Sequence, residues 1–103
     1  MDRSRTIKEE IVEKRLKRRC EKLGWLCLKL DPTAKKGIPD RMVVAQGLVA
    51  FVELKRPKGG RLEPLQVHWQ SMLASLGHPT FVARNAEEVD AVVEWIRARE
   101  GRR

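Results

Sequence analysis

Sulfur and imidazole are scarce in this 103-residue chain, which has two cysteines and two histidines. Cys20 and Cys27 lack the spacing of a metal-ligand pair, and no histidine stands near them, so a zinc site built on them is excluded. Each lies on an apolar-patterned segment, and both are expected to be small buried thiols in a reducing compartment. No apolar run approaches the ~20 residues of a membrane span. The basic beginning lacks the apolar stretch of a signal peptide, so the expectation is a cytoplasmic protein with no membrane partner. Repeats, low-complexity tracts and long linkers are absent too. A hydrophobic content of 42% beside 35% charged residues excludes the composition of a disordered chain. The length allows one modest core, so residues 1–103 are expected to form a single domain. Acid is also in short supply. Fourteen Asp and Glu stand against 22 Lys and Arg, for a net charge of +8. Such an excess usually meets an anionic partner, most often nucleic acid, although charge alone does not choose between DNA, RNA and an acidic protein.

What is present is a clear alternation of patterned segments. Val12, Leu16, Cys20 and Leu23 recur at helical spacing, which predicts a helix over Thr6 to Leu23 closed by Gly24. Lys14, Arg15, Lys17, Arg18, Arg19 and Lys22 crowd its second half, mostly away from that stripe. Trp25 to Leu30 reads as a strand and Asp31 to Gly37 as a loop. Two apolar runs follow, Arg41 to Ala45 and Leu48 to Leu54, separated by Gln46-Gly47, which predicts a β-hairpin. Arg56 to Arg61 is a basic Pro/Gly loop. A helix is expected from about Pro64, with Leu65, Trp69, Met72, Leu73 and Leu76 on one face and Gly77 at its end. Thr80 to Arg84 reads as a strand and Ala86 to Arg99 as a last helix burying Val89, Val92, Val93 and Ile96. The order α-β-β-β-α-β-α, with a right-handed parallel crossover near its end, implies an α/β fold with a central mixed sheet and helices on both faces.

Taken literally, the hairpin carries chemistry. With Gln46 and Gly47 as its turn, Ala45 faces Leu48 and continued pairing sets Asp40 across from Glu53, ~4.5–5.5 Å apart at Cβ. Period-two alternation puts Lys55 on the face of Glu53. Two opposed carboxylates repel unless a cation lies between them, and hard oxygen donors without His or Cys suit Mg²⁺. A metal there would acidify a bound water and hold a phosphate, with Lys55 orienting that water or neutralising charge on the phosphorane. That division of labour is phosphodiester hydrolysis. Glu53 ends a run apolar enough to be buried on both faces, and the charged tip of such a strand is where α/β folds bind ligands. A third carboxylate is available from the first helix, either Glu13 at the margin of its apolar stripe or Glu9 near the middle; the competing reading is a solvated helix end. Lys35, Lys36 and Arg41 flank Asp40, while Arg56, Lys58 and Arg61 follow the catalytic lysine, and all are expected to contact phosphates. His68 and His78 are read as surface or loop residues, and Trp25, Trp69 and Trp95 as core or dimer contacts.

These residues resemble a known family. Gly37-Ile38-Pro39-Asp40-Arg41, then Phe51-Val52-Glu53-Leu54-Lys55, then Leu65-Gln66 at a helix start, is similar to the VRR-NUC group, virus-type replication-repair nucleases of the PD-(D/E)xK superfamily with a restriction-endonuclease-like core. The likeness runs from about Thr6 to Trp95. It implies a Mg²⁺- or Mn²⁺-dependent DNA endonuclease of phage-infected or bacterial cells that prefers branched DNA such as four-way junctions or flaps. It implies Asp40 and Glu53 as metal ligands with the Leu54 carbonyl, Lys55 as catalytic lysine, and Gln66 as an active-site supporter. The family's helix-one glutamate carries over to Glu13, with Glu9 in reserve. Small members resemble homodimers, which implies the same here. A catalytically silent nucleic-acid-binding module and an exonuclease of the same superfamily are the competing functions.

Overall fold

In the computed structural model, residues 7–31, 33, 35–56 and 61–101 are described, Ile7 by its backbone alone. The elements are α1 (Ile7–Lys22), β1 (Leu26–Lys29), β2 (Arg41–Ala45), β3 (Leu48–Leu54), α2 (Pro64–Ser75), β4 (Thr80–Ala83) and α3 (Ala86–Arg99). This is the expected order, with the first strand trimmed at both ends. The strands form one mixed sheet in the order β1-β2-β3-β4. The β1–β2 and β2–β3 pairs are antiparallel, and β3–β4 is parallel across the α2 crossover.

The hairpin turns at Gln46-Gly47, where Gly47 takes a positive φ of 71°, a conformation glycine adopts without the steric cost a side chain brings. The register runs from Ala45 opposite Leu48 to Arg41 opposite Val52. Opposed residues share a face, so Val43, Ala45, Ala50, Val52 and Leu54 line one side of the sheet together with Ala83, and all six are buried. Onto that side pack Val12, Leu16 and Cys20 from α1 and Val89, Val92, Val93 and Ile96 from α3, forming a single core. Deep burial of a Val- and Leu-sized side chain contributes roughly 1.5–3 kcal/mol, so this face holds the fold. Cys20 is fully buried, as expected, whereas Cys27 on β1 is half-buried; both are free thiols.

The two core helices are joined outside the core. Arg15 gives Asp90 two bonds, at 2.9 and 2.8 Å. Arg19 reaches Asp90 at 2.8 Å and Glu94 at 3.2 Å. At the far end Trp25 is buried and donates to Glu100 at 2.8 Å.

The opposite sheet face departs from expectation. The sequence puts Leu65, Trp69, Met72, Leu73 and Leu76 on one face of this helix, with helices expected over both sheet faces, but α2 buries none of its residues. Leu65, Met72 and Leu76 are exposed, as are Leu26 and Leu28 on β1. Among the strands α2 packs chiefly against β4 and reaches β3 through the Gln66–Glu53 bond. No helix among the described residues is long and apolar enough to cross a membrane.

Candidate active site

Asp40 enters from the loop before β2, just after the buried Pro39. Its carbonyl accepts the Leu30 N–H at 2.9 Å, which fixes its backbone to the end of β1. Its Oδ2 accepts the Leu54 N–H at 2.8 Å. Lys55 is fixed from the other side, its N–H donating to the Ala83 carbonyl at 3.1 Å. The chain from Glu53 to Lys55 is therefore held by neighbours on both sides at the carboxyl end of a buried strand. The next pair beyond Arg41–Val52 in the hairpin register is Asp40 with Glu53, and the two line one cleft of about 190 Å³ together with Leu54, Lys55 and Glu9.

Gln66 ties the cleft together. It stands at the third position of α2, and its Oε1 accepts the N–H of the N-cap residue Glu63 at 2.8 Å. The same oxygen accepts from Lys55 Nζ at 3.1 Å, while Nε2 donates to Glu53 Oε2 at 2.7 Å. The Glu63 N–H and the lysine ammonium are donors only, which fixes the orientation of the amide. A side chain that satisfies an orphan N–H at the helix start thus also spaces Lys55 from Glu53, whose Nζ and Oε2 are 3.7 Å apart.

Glu53 is 4% exposed. Burial pushes its carboxyl up to about 8, the neighbouring Asp40 charge pushes the same way, and Lys55 works against both. A cation in the cleft would reverse this by stabilising the ionised form. The donors are hard oxygens: Asp40, Glu53 and, on the same wall, Glu9. Among the described residues no group of three or more His, Cys, Asp or Glu side chains is arranged to hold a metal ion by itself, so protein ligands here would have to be completed by other oxygens. The donor set fits an ion of the Mg²⁺ type, which keeps waters and takes phosphate oxygens as further ligands.

The structure places the two candidate helix-one carboxylates differently. Glu13, expected in the cleft, is turned into the sheet, where Arg41 binds its Oε2 through Nη2 at 2.9 Å and Nε at 3.0 Å. Glu9, one turn earlier, lines the cleft instead. The physical reason is Arg41 itself. It shares the core-side face with Val52, and its charge there requires a buried partner, which Glu13 and the Cys27 carbonyl at 3.1 Å supply. With both side chains of the pair 11% exposed, Arg41 is a structural cation and not the phosphate contact expected of it. Lys35, Lys36, Arg56 and Arg61 are exposed. Lys58 lies outside the described residues.

Two contacts that the sequence reading missed dock the Asp40 loop on α2. Gly37 has φ of +87°, and a Cβ there would stand 2.7 Å from Leu65 Cβ and 2.8 Å from its carbonyl carbon. Trp69, read as core or dimer contact, donates from Nε1 to the Lys36 carbonyl at 3.0 Å. The signal was present as the glycine two residues before Pro39, but what it approaches is a long-range fact. His68 is exposed, as expected, while His78 sits half-buried in a T-shaped arrangement with Phe51.

A mixed sheet flanked by helices, with an aspartate and a Glu-x-Lys strand end converging at one tip, defines the restriction-endonuclease-like class of nuclease fold. Comparison with known proteins narrows it. A solved structure described as a VRR_NUC domain superposes with a TM-score of 0.76 at 33% identity, covering 84% of this chain and 95% of that one. A protein of Acyrthosiphon pisum secondary endosymbiont phage 1, provisionally named nuclease p44, is 35% identical over 79 residues, 76% of this chain and 84% of its own length. No family model matches the chain. On the strength of these two relatives the chain belongs to the VRR-NUC family of nuclease domains.

Proposed function

We propose that this chain is a divalent-metal-dependent DNA endonuclease acting on branched DNA such as four-way junctions or flaps, in replication or repair within a phage-infected or bacterial cell. The observation that carries the reading is the convergence of Asp40, Glu53 and Lys55 on one cleft, with Gln66 bonded to two of the three. Asp40 and Glu53, with the Leu54 carbonyl and Glu9 adjoining, would hold Mg²⁺ or Mn²⁺, which would supply Lewis acidity and make a bound water more acidic. Lys55 is placed to orient that water and to neutralise charge developing on the phosphorane, a preorganised contribution because Gln66 holds its Nζ before substrate arrives. Glu9 takes the position first expected of Glu13. Lys35, Lys36, Arg56 and Arg61 are exposed cations, close in sequence to Asp40 and Lys55, suited to phosphate contacts that carry no sequence information. The preference for branched DNA rests on family membership.

The chain is further proposed to act as a homodimer. The exposed Leu65, Val67, Met72 and Leu76 of α2 and Leu26 and Leu28 of β1 give it apolar surface to cover, and light scattering reads the mass directly.

The function is tested by incubating the protein with labelled duplex, single-stranded, flap and four-way-junction DNA, with Mg²⁺ or with chelator. Metal-dependent internal cleavage of the branched forms, lost in Asp40→Ala, is the expected result. Binding without cleavage in any metal would instead make the chain a silent binding module, and cleavage confined to free ends an exonuclease.

A further inference from the structure

Part of the basic crowding in the second half of α1 is used neither by the fold nor by the cleft. Arg15 and Arg19 are neutralised by Asp90 and Glu94 of α3. Lys14, Lys17, Arg18 and Lys22 are exposed, and none forms an ion pair or hydrogen bond with another described residue. Lys14, Arg18 and Lys22 follow one another at four-residue intervals, so they stand on a single ridge facing away from the core stripe of Val12, Leu16 and Cys20.

That ridge is not what helix stability asks for. Like charges at four-residue spacing oppose each other, and although Arg18 and Lys22 near the helix end meet a favourable dipole, Lys14 in the middle does not. Glu10 and Glu21 lie within helical reach of Lys14 and Lys17, yet neither forms an ion pair with them among the described residues. One turn before Lys14 the same row continues to the exposed Glu10, and beside it Ile11 is 60% exposed.

We infer that the Lys14–Arg18–Lys22 ridge is a second DNA-binding surface that holds the phosphate backbone of a duplex arm outside the cleft. The three cations span roughly 12 Å of helix, at ~1.5 Å per residue. Duplex phosphates recur every ~3.4 Å of axis along each strand, so the ridge matches about three or four of them. It is rigidly linked to the cleft because Glu9, which lines it, belongs to the same helix. From Glu9, Lys14 lies ~7 Å and Lys22 ~20 Å further along the axis. A straight strand through the cleft does not need this surface, whereas a substrate with a second arm does. Exposed apolar Ile11 adds a contact for sugar or base edges beside the cations.

The inference rests on the nuclease reading, and its test keeps the two separable. The affinity of the full-length protein for a labelled four-way junction is measured in Ca²⁺ between 50 and 200 mM KCl. The wild type is compared with Lys14→Ser/Arg18→Ser/Lys22→Ser and with Lys29→Ser/Arg97→Ser/Arg99→Ser, which loses the same charge elsewhere. The ridge variant is expected to bind at least about tenfold more weakly at 100 mM, with its log–log salt slope shallower by ~2–3. The control keeps the wild-type slope. An unchanged slope in the ridge variant, beside a wild type that binds and cuts, overturns the ridge alone. A wild type that neither binds nor cuts DNA in Mg²⁺ or Mn²⁺ overturns the nuclease reading and the ridge with it.

Discussion

At the scale of single residues, the cleft holds one group, Glu53, against its own preference. Glu53 sits in a nearly closed position with its carboxyl at about 8, well above the usual ~4.3. A carboxyl raised on folding contributes stability below its unfolded value and loses it as pH climbs through the folded one. The metal-free protein should therefore lose stability between about pH 5 and 9, and Glu53→Gln should flatten that part of the curve; urea unfolding in chelator across this range reads both. A wild-type profile already flat there would contradict the assignment. The paired glutamates of α1 separate in the same way. Glu13→Ala leaves Arg41 buried without its partner and should cost about 3 kcal/mol, whereas Glu9→Gln should leave the unfolding midpoint nearly unchanged while weakening Mn²⁺ binding, measured by calorimetry. Asp40, Glu53 and Lys55 were legible in the sequence because period-two alternation and a two-residue turn determine which side chains face one another. Glu9 was not separable from Glu13, because both lie on the inner side of the helix and the choice was made by Arg41, a strand residue.

Among the elements, the hairpin and α2 teach different lessons. The β2–β3 register follows from pattern alone, and the structure reproduces it from Ala45–Leu48 to Arg41–Val52. The extent of α2 was equally readable from Pro64 and Gly77, but its role was not. Its apolar residues share one face by spacing, yet it acts as a bracket that buries none of them. It holds Glu53 and Lys55 through Gln66, and the Asp40 loop through the Trp69–Lys36 bond and the contact of Gly37 with Leu65. These are tertiary contacts between positions 11 to 33 residues apart, invisible to local spacing. Gly37→Ala meets both a positive φ and backbone atoms under 3 Å away. It should cost about 1–3 kcal/mol and, by shifting Asp40, weaken metal binding as well. A variant with wild-type midpoint and wild-type Mn²⁺ affinity would show that the loop is not docked as described.

For the whole molecule, charge is divided by location. The acids of α3 pair with one flank of α1, Arg41 pairs with Glu13 inside, and the unpaired cations remain on the outside. Hydrogen bonds from Arg15 and Arg19 hold the Asp90 carboxyl down at about 2. A depressed carboxylate contributes above its unfolded value and loses that contribution as pH falls through the folded one. The α1–α3 clasp should thus weaken between about pH 4 and 2, and Asp90→Asn should remove that share of the acid sensitivity in a thermal scan; because Asp90 is about a third exposed, the effect is modest. A net charge of +8 announced an anionic partner from composition alone, but which cations remain available for it depends on the pairing that only the packed helices establish. The central claim is that the Asp40–Glu53–Lys55 cleft cleaves DNA, and the rate of cutting of a labelled four-way junction in Mg²⁺ by wild type and Lys55→Ala tests it most directly. The rate should fall by about a thousandfold in the variant while its affinity for the junction stays close to that of the wild type. Cleavage by Lys55→Ala at the wild-type rate would contradict it.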